Sequence, residues 1–335
     1  MTPDHPAESF RARLKAGRPL LLDGATGTEL DRRGVDTSLP LWSARALLAA
    51  PDVVKQIHLD YLDAGADVIT TNTFRTHRRT LARAGYGGRA GELTRLAVSL
   101  ARAAVAQSKR AAWVAGSMSP LEDCYSPALV PPDDELRAEH GEMARALAAA
   151  GCDVLLVETM NSIREAVIAA EAAQATGRPV CVSLVVGVDG RPPDQVTAGQ
   201  AAGTAPMRLL SGEAIATAAA ALHDRPPDVI LVNCVPLAHI DRAFDELRAA
   251  AAGPIGLYAN VGHADEVTGW ALTDDVQPAA YARCARHWLA QGAAIVGGCC
   301  GTSPDHIAAV RAVMDEAQQS TTNNERTLIH RREDT

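Results

Sequence analysis

The amino-acid sequence predicts a single-domain α/β protein folded as a (β/α)8 barrel, the TIM-barrel class. Two observations support this prediction. Eight short, almost wholly apolar segments recur along the 335 residues, and amphipathic, alanine-rich segments separate most of them. Strands that helices cover on both faces are near-continuously apolar, and strands alternating with helices are typical of a parallel sheet. Barrels of this class commonly reach the length of this chain.

Each predicted strand is a short, near-continuously apolar run. Runs of this length match buried parallel strands better than helices. In chain order the predicted strands are 19–23 (PLLLD), 66–71 (ADVITT), 112–117 (AWVAGS), 153–158 (DVLLVE), 180–186 (VCVSLVV), 229–234 (VILVNC), 255–259 (IGLYA) and 294–298 (AIVGG).

The segments between the strands carry apolar residues at helical spacing, with arginine and glutamate on the opposite face. The clearest predicted helices are 92–108, 134–150, 162–175, 211–223, 241–251 and 279–291. Glycine often closes a helix in the left-handed conformation, because it lacks a Cβ. Five glycines lie where a helix should end and the next strand begin: Gly65, Gly151, Gly177, Gly253 and Gly292.

The domain organisation expected from these patterns is one barrel over residues 1–316, followed by a tail over 317–335. The tail is polar throughout, which predicts disorder. The segment 189–207 follows the fifth predicted strand and is rich in Pro, Gly, Gln and Thr. We interpret it as a long, mobile loop on the catalytic face of the barrel.

Composition and charge restrict the class of function. The net charge is −8 and the pI is about 5.7, which argue against nucleic acid or an anionic membrane as a main partner. We find no apolar run of membrane-spanning length and no signal-peptide pattern at the N-terminus. The seven cysteines are odd in number and scattered, which favours reduced thiols in the cytoplasm. We therefore expect small-molecule substrates, and a homo-oligomer is compatible with the sequence.

The most informative motif is Gly-Gly-Cys-Cys-Gly-Thr at 297–302, directly after the last predicted strand. The glycines allow a sharp turn there, so both Cys299 and Cys300 can point to one place. Cys234 ends the strand 229–234 and follows Asn233. Three thiolates at strand ends would bind Zn²⁺ with one tetrahedral position open, which is typical of a catalytic site.

Polar side chains recur at the predicted carboxyl ends of the strands, where barrel enzymes have their active sites. Asp23 ends the first predicted strand and Gly24 follows it, and a turn there can hold both ends of a zwitterionic amino acid or simply cap a helix. Glu158 ends an apolar run, so it is either a ligand for a substrate ammonium group or the partner of a buried arginine. Thr73 and Ser117 lie at the same predicted rim.

Taken together, these motifs resemble the homocysteine S-methyltransferase family, which includes S-methylmethionine- and betaine-dependent enzymes and the homocysteine module of cobalamin-dependent methionine synthase. The resemblance extends from about Leu20 to Met314. It rests on these segments: DGATGTEL at 23–30, LWSA at 41–44, GADVITTNTF at 65–74, LVETM at 156–160, LSGE at 210–213, Asn233-Cys234, and GGCCGTSPDHI at 297–307. A barrel fold and a zinc-dependent methyl transfer to L-homocysteine, giving methionine, are what the resemblance implies.

The resemblance also implies roles for particular residues. Cys234, Cys299 and Cys300 would bind Zn²⁺ and act in catalysis. The substrate-binding set would be Asp23, Gly24, Thr73, Ser117, Glu158 and Asn233, with Asp23, Gly24 and Glu158 holding the amino-acid part of homocysteine. Three cysteinates and one Zn²⁺ carry one net negative charge, and a bound substrate thiolate adds another. Such a site keeps the sulfur electron-rich and attracts a cationic methyl donor.

The identity of the methyl donor rests on weaker signals. Members that use S-methylmethionine usually continue from Gly-Ser after the third strand with Gly-Pro-Tyr-Gly, whereas this chain continues from Ser117 with Met-Ser-Pro-Leu-Glu-Asp and has Tyr125 nearby. We expect a sulfonium such as S-methylmethionine, because the site favours a cation and the chain shows no cobalamin-binding domain. Three alternatives remain: another thiol or selenol as acceptor, a corrinoid partner protein as donor, or a non-catalytic zinc-binding barrel protein.

Overall fold

The computed structural model describes the backbone of residues 8–191, 205–262 and 277–333, and side chains as far as residue 319. Its strands, in chain order, are β1 Leu20–Leu21, β2 Val68–Thr70, β3 Trp113–Met118, β4 Val154–Met160, β5 Val180–Leu184, β6 Val186–Val188, β7 Met207–Leu209, β8 Val229–Pro236, β9 Ile255–Asn260 and β10 Ile295–Gly298. An eight-stranded sheet forms the centre, in the order β1-β10-β9-β8-β5-β4-β3-β2, with every neighbouring pair parallel.

The sheet closes on itself between its first and second strands. Leu22 forms a parallel bridge with Val68, and the Asp67 amide donates to the Leu21 carbonyl oxygen at 2.7 Å. All eight strands predicted from the sequence are present, and the (β/α)8 barrel is confirmed. Closure places the carboxyl ends of all eight strands at one end of the barrel, which is the geometry the predicted site requires.

A two-stranded antiparallel hairpin follows the fifth barrel strand and pairs β6 with β7. The sequence predicted one strand over 180–186, but β5 ends at Leu184 and a separate strand begins at Val186. An apolar run does not reveal such a break, because both pieces are buried. The predicted mobile loop over 189–207 falls mostly outside the described residues, since 192–204 are not described.

Most of the helices cover the outer face of the barrel, whereas the first one packs against its interior. In chain order they are α1 Phe10–Lys15, α2 Gly27–Arg32, α3 Ala46–Ala49, α4 Pro51–Asp63, α5 Arg78–Arg83, α6 Ala90–Gln107, α7 Asp133–Ala150, α8 Ile163–Gln174, α9 Ile215–Ala221, α10 Leu237–Ala250, α11 Pro278–Ala290 and α12 Pro304–Glu333. Ser162 caps α8, where its hydroxyl accepts from the Glu165 amide. Four of the five predicted closing glycines have positive φ, and Gly253 does not, because α10 ends in an extended residue.

The last helix extends beyond the predicted boundary of the barrel domain. α12 begins at Pro304 and continues to Glu333, well past the predicted domain boundary at residue 316. The backbone of 317–333 continues this helix, and the division into a barrel and a disordered tail stays a prediction. The segment contains no glycine and no proline after Pro304, so nothing in the sequence breaks the helix.

The apolar core has an inner and an outer layer. Alternate strand residues such as Leu20, Leu22 and Ile295 fill the barrel interior, while the second layer lies between the sheet and the helices. Phe10 of α1 joins the inner layer and packs edge-to-face on Trp113, with ring centroids 5.8 Å apart. In the part of the chain that the structure describes, no helix combines the length and apolarity needed to cross a bilayer.

Candidate active site and metal centre

A cavity of about 450 Å³ lies at the carboxyl ends of the barrel strands. Most of the side chains predicted for the site line it. They include both carboxylates of the predicted amino-acid site, Asp23 and Glu158, and all three cysteines of the predicted metal centre. The closed sheet thus brings together residues from the first and the last strand of the chain.

The three predicted zinc ligands form one cluster. The Sγ atoms of Cys234, Cys299 and Cys300 all lie within 4.8 Å of one another, and no other group of three or more such ligand residues occurs among the described residues. Cys234 lies in a bulge of β8 and has a left-handed φ of +57°. A bulge re-aims the side chains of a strand, so Cys234 leaves the regular alternation and its sulfur reaches the other two.

Glycines flanking the cysteine pair allow the last strand to approach its neighbours closely. A Cβ on Gly298 would lie 2.3 Å from Thr302 Oγ1, and a Cβ on Gly301 would lie 1.5 Å from the Val261 carbonyl oxygen. Gly301 also has a φ of +79°, which only glycine adopts without strain. Both sulfurs are held in place by this turn, because the Cys299 amide donates to Ala259 and the Val261 amide donates to Cys300.

The electrostatics of the cluster favour a thiolate at Cys234. The Cys299 and Cys300 thiols hydrogen-bond to the Cys234 sulfur and lower its pKa well below the ordinary value. Tyr125 Oη lies 3.0 Å from this sulfur, and Asn260 Nδ2 approaches it at 3.7 Å. Three clustered thiols with one easily deprotonated member form a donor set that suits zinc, and three ligands leave a tetrahedral position for a substrate.

Two buried carboxyl groups share the cavity with the cysteines. Asp23 accepts from both the amide and the hydroxyl of Thr70, each at 2.7 Å. Glu158 accepts from the Ser117 hydroxyl and from Tyr258 Oη, the latter at 3.2 Å. Burial raises the pKa of Asp23 to about 8 and that of Glu158 to about 7. A cationic ligand, such as an ammonium group, would stabilise the charged form of these desolvated carboxylates.

Gly24 and Ser117 also lie where the sequence predicted them, in the cavity lining. Gly24 has no room for a side chain, since a Cβ there would lie 2.7 Å from Tyr61 Oη and 2.8 Å from Thr302 Oγ1. Its backbone therefore stays accessible from the cavity beside Asp23. Ser117 is buried and orients Glu158 through their hydrogen bond.

The structure places two of the predicted substrate-binding residues beneath the cavity wall. Thr73 is fully buried and donates to the Ser117 carbonyl oxygen at 2.8 Å. Asn233 is also fully buried, and Ser183 donates to its Oδ1 at 2.6 Å. Neither lines the cavity. Both side chains are hydrogen-bonded to other protein groups, and their substrate-binding role stays a prediction.

Several lining residues were missed by the sequence reasoning. Thr70 and Tyr258 hydrogen-bond to the two carboxylates, and Tyr125 contacts the Cys234 sulfur. Thr70 is adjacent to the predicted rim and could have been found from its position. Tyr258 lies one residue before the predicted end of its strand, and nothing in the sequence indicates that its side chain reaches the site. Trp42 and Arg75 also line the cavity, and no sequence pattern indicated them.

Comparison with known proteins agrees with this site. The sequence model of the homocysteine S-methyltransferase family matches residues 20–314. The chain is 29% identical to homocysteine S-methyltransferase YbgG of Bacillus subtilis, over 88% of this chain and 93% of that protein. It is 27% identical to selenocysteine methyltransferase of Astragalus bisulcatus, over 92% of this chain and 96% of that protein.

A solved structure extends the similarity to the whole barrel. The metallated form of the homocysteine methyltransferase MmuM from Escherichia coli superposes with a TM-score of 0.73 at 28% identity, covering 90% of this chain and 98% of that chain. The family match spans most of the sequence, including both carboxylates and all three cysteines of the cavity. The chain therefore belongs to the homocysteine S-methyltransferase family, enzymes that transfer a methyl group to homocysteine.

Proposed function

We propose that the protein is a zinc-dependent enzyme that transfers a methyl group from a sulfonium donor, such as S-methylmethionine, to the sulfur of L-homocysteine and so forms methionine. The observation that supports this best is the meeting of three cysteine sulfurs and two buried carboxylates in one cavity. The cysteines suit a metal that binds a thiol, and the carboxylates suit the ammonium group of an amino acid.

Cys234, Cys299 and Cys300 are the residues that would hold the zinc ion. When bound, zinc keeps a coordinated substrate thiol deprotonated at neutral pH, where a free thiol with a pKa near 8.5 is mostly protonated. Family membership and the cysteine cluster both support zinc as the cofactor. Tyr125 and Asn260, which contact the Cys234 sulfur, stabilise negative charge on this ligand.

Asp23 and Glu158 would bind the ammonium group of homocysteine, and backbone groups at Gly24 would receive its carboxylate. Tyr258 and Ser117 fix the Glu158 carboxylate, and Thr70 fixes that of Asp23. These hydrogen bonds hold both groups in place before the substrate arrives. Preorganised charge of this kind fixes the position of the amino-acid end, so the sulfur end is held towards the cysteines.

Methyl transfer is then a single displacement. The homocysteine thiolate attacks the methyl carbon of the donor in line with the bond to the leaving sulfur. A new carbon–sulfur bond forms as the old one breaks, and its electron pair stays on the donor sulfur, which becomes a neutral thioether. With S-methylmethionine both products are methionine. The thiolate loses its negative charge and the sulfonium its positive charge, so no proton transfer is needed at the methyl group.

Other features of the proposal follow from the chemistry of the thiols. A centre built from three reduced cysteines operates in a reducing compartment, so we place the protein in the cytoplasm. The acidic net charge supports small-molecule substrates rather than nucleic acid as its partners. A homo-oligomer is compatible with the proposal and is not required by it.

A second acceptor is favoured by one specific observation, the similarity to a selenocysteine methyltransferase. A selenolate could occupy the same position as a thiolate, so we include selenocysteine as an alternative acceptor. A corrinoid partner protein is the alternative donor. Both would use the same three cysteines.

The proposed function is tested with zinc-loaded protein, homocysteine and one donor at a time: S-methylmethionine, S-adenosylmethionine, betaine or free methylcobalamin. Methionine formation is measured by mass spectrometry with homocysteine labelled in its carbon chain, so that methionine made from homocysteine is distinguished from methionine left by the donor. We expect labelled methionine to form with S-methylmethionine. Turnover with methylcobalamin alone would contradict the sulfonium donor and favour the corrinoid partner. Parallel assays with selenocysteine compare the two acceptors.

A further inference from the structure

Arg75 is an unusual arginine in this structure. It lies in the loop between β2 and α5 and lines the cavity that holds the cysteine cluster. Its Nε is buried without a hydrogen-bond partner, and in the described part of the chain its guanidinium forms no ion pair. The neighbouring Arg78 and Arg79, in contrast, pair with Glu142 and Glu139.

Aromatic rings hold the Arg75 guanidinium on the wall of the cavity. Its Cζ lies 5.6 Å from the centroid of the Phe74 ring. Phe74 in turn packs edge-to-face on Trp42, with centroids 5.7 Å apart. Trp42 lies so close to Gly27 that a Cβ there would be 2.3 Å from the indole ring. The guanidinium therefore lies against a ring that belongs to a packed aromatic cluster on the cavity wall.

A cation held in this way needs an anionic ligand. A buried guanidinium nitrogen without an acceptor is costly, and a carboxylate matches the guanidinium with two parallel hydrogen bonds. The carboxylates of the protein that share the cavity are already engaged. Asp23 is bound by Thr70, Glu158 by Ser117 and Tyr258, and Asp123 by the Ser126 hydroxyl at 2.6 Å.

The charges that line the cavity indicate which substrate provides the carboxylate. Asp23, Asp123 and Glu158 are its anions, and Arg75 is the one cation among the described lining residues. The amino-acid end of homocysteine is already accounted for by Asp23, Gly24 and Glu158. Arg75 would repel a methyl donor that carried only positive charge. A donor with both a cationic methyl-bearing centre and a carboxylate offers an opposite charge to the anions of the cavity and to Arg75 alike.

We propose that Arg75 binds the carboxylate of the methyl donor, so that the enzyme selects zwitterionic donors, namely amino acids that carry a methylated sulfonium or ammonium centre. This inference rests on the proposed function, because it assigns the second substrate of that reaction. It restricts the donor class by chemistry: a sulfonium without a carboxylate lacks a partner for Arg75. Arg75 is thus a specificity-determining residue on the donor side of the cavity.

The test compares S-methylmethionine with its carboxamide, in which a neutral amide replaces the carboxylate. Three proteins are assayed with homocysteine: the wild type, Arg75→Met and Arg75→Lys. We expect Arg75→Met to raise the KM for S-methylmethionine by about 10- to 100-fold, the loss expected for a charge-assisted hydrogen bond. Its KM for the carboxamide should stay close to that of the wild type. Arg75→Lys, which keeps the charge but loses the paired geometry, should lie between the two.

Controls separate this role from a structural one. Arg78→Met removes a neighbouring, exposed arginine and should leave every KM unchanged. The KM for homocysteine and the zinc content should not change in either Arg75 variant. Calorimetric binding of S-methylmethionine to the zinc-loaded proteins gives a readout that does not depend on turnover, and Arg75→Met should bind it about 10- to 100-fold more weakly.

The possible outcomes are distinct. A raised homocysteine KM with an unchanged donor KM would assign Arg75 to the acceptor and overturn the inference. Equal use of S-methylmethionine and its carboxamide by the wild type would overturn it as well. If the wild type made no methionine with any sulfonium, the proposed function would fail. Calorimetry would then decide the role of Arg75 by itself, since binding that is equal in the wild type and Arg75→Met contradicts it.

Discussion

Asn233 and Thr159 are joined by two hydrogen bonds across the interior of the barrel. The Thr159 amide donates to Asn233 Oδ1 at 3.2 Å, and Asn233 Nδ2 donates to the Thr159 hydroxyl at 2.9 Å. Thr159 and Cys234 both have positive φ, of 61° and 57°. Thr159 follows Glu158 directly, and Cys234 follows Asn233. The pair therefore ties the end of β4, which carries Glu158, to the end of β8, which carries Cys234.

Asn233→Ala should weaken zinc binding although Asn233 is not a ligand. The substitution removes both bonds to Thr159 and leaves its buried amide without a partner, at a cost of roughly 2–4 kcal/mol in the free energy of unfolding. Zinc affinity is measured by chelator competition and stability by urea unfolding. Thr159→Ala removes only the hydroxyl and should have a smaller effect on both. Wild-type zinc affinity in Asn233→Ala would contradict this positioning role.

Gly301→Ala should disrupt the metal centre, whereas Gly34→Ala should not. Both glycines have positive φ, but a Cβ on Gly301 meets the Val261 carbonyl oxygen and a Cβ on Gly34 meets nothing within 4 Å. Gly34→Ala should therefore cost only the backbone strain, about 1 kcal/mol. Zinc per chain and urea unfolding are measured for both. Equal effects would mean that strain rather than the close approach makes Gly301 necessary.

Cys299→Ala should abolish zinc binding. A catalytic zinc site leaves one position open for the substrate, so the loss of one of three protein ligands leaves too few to retain the ion. Zinc per chain, measured by atomic emission, should fall from one to none, and activity should disappear with it. Cys284→Ala, at a half-buried cysteine outside the cluster on α11, is the matched control and should keep both. Full zinc retention in Cys299→Ala would remove this residue from the site.

Glu158→Gln should weaken homocysteine binding while zinc stays bound. The change keeps the shape of the side chain but removes the charge that attracts the ammonium group. The loss of one charge-assisted hydrogen bond corresponds to about a 10- to 100-fold rise in the KM for homocysteine. Glu171→Gln makes the same change at an exposed residue paired with Arg137 and should have no effect. An unchanged KM together with an unchanged kcat would refute the assignment.

Binding of the amino-acid part of the substrate should depend on pH. Burial raises the pKa of Glu158 to about 7 and that of Asp23 to about 8, so both carboxyls lose their charge as the pH falls through these values. Only the charged forms attract an ammonium group strongly, and affinity should therefore rise between about pH 6 and pH 9. Methionine is the probe, because it has no thiol that titrates. In Glu158→Gln the rise near the lower pKa should vanish, and a flat profile in the wild type would contradict the prediction.

The sequence by itself determined the fold and the chemical character of the site. Apolar runs of strand length between helical segments predict the barrel, because the solvent is excluded from both faces of a parallel sheet. The motif at 297–302 and the cysteine at the end of another run predicted the metal centre. Chain order is enough for these conclusions, since a closed parallel barrel brings all strand ends to one side.

The tertiary structure alone decided which polar residues face the cavity. Thr73 and Asn233 were predicted to contact substrate, and their hydrogen bonds direct them into the wall beneath the cavity. Tyr258 reaches Glu158 from a strand 100 residues away, and no local pattern indicates such a partner. Two bulges with left-handed residues shift the alternation of β4 and β8 at the site itself.

The position of Arg75 in the cavity was also decided by the tertiary structure alone. In the sequence it is one of several arginines near α5, with nothing to separate it from Arg78 and Arg79. Only the folded chain gives those two arginines acidic partners on a neighbouring helix and leaves Arg75 in the cavity without one. Residue types and their order are local properties of the sequence. Pairing, burial and the direction of a side chain depend on groups that folding brings from distant parts of the chain.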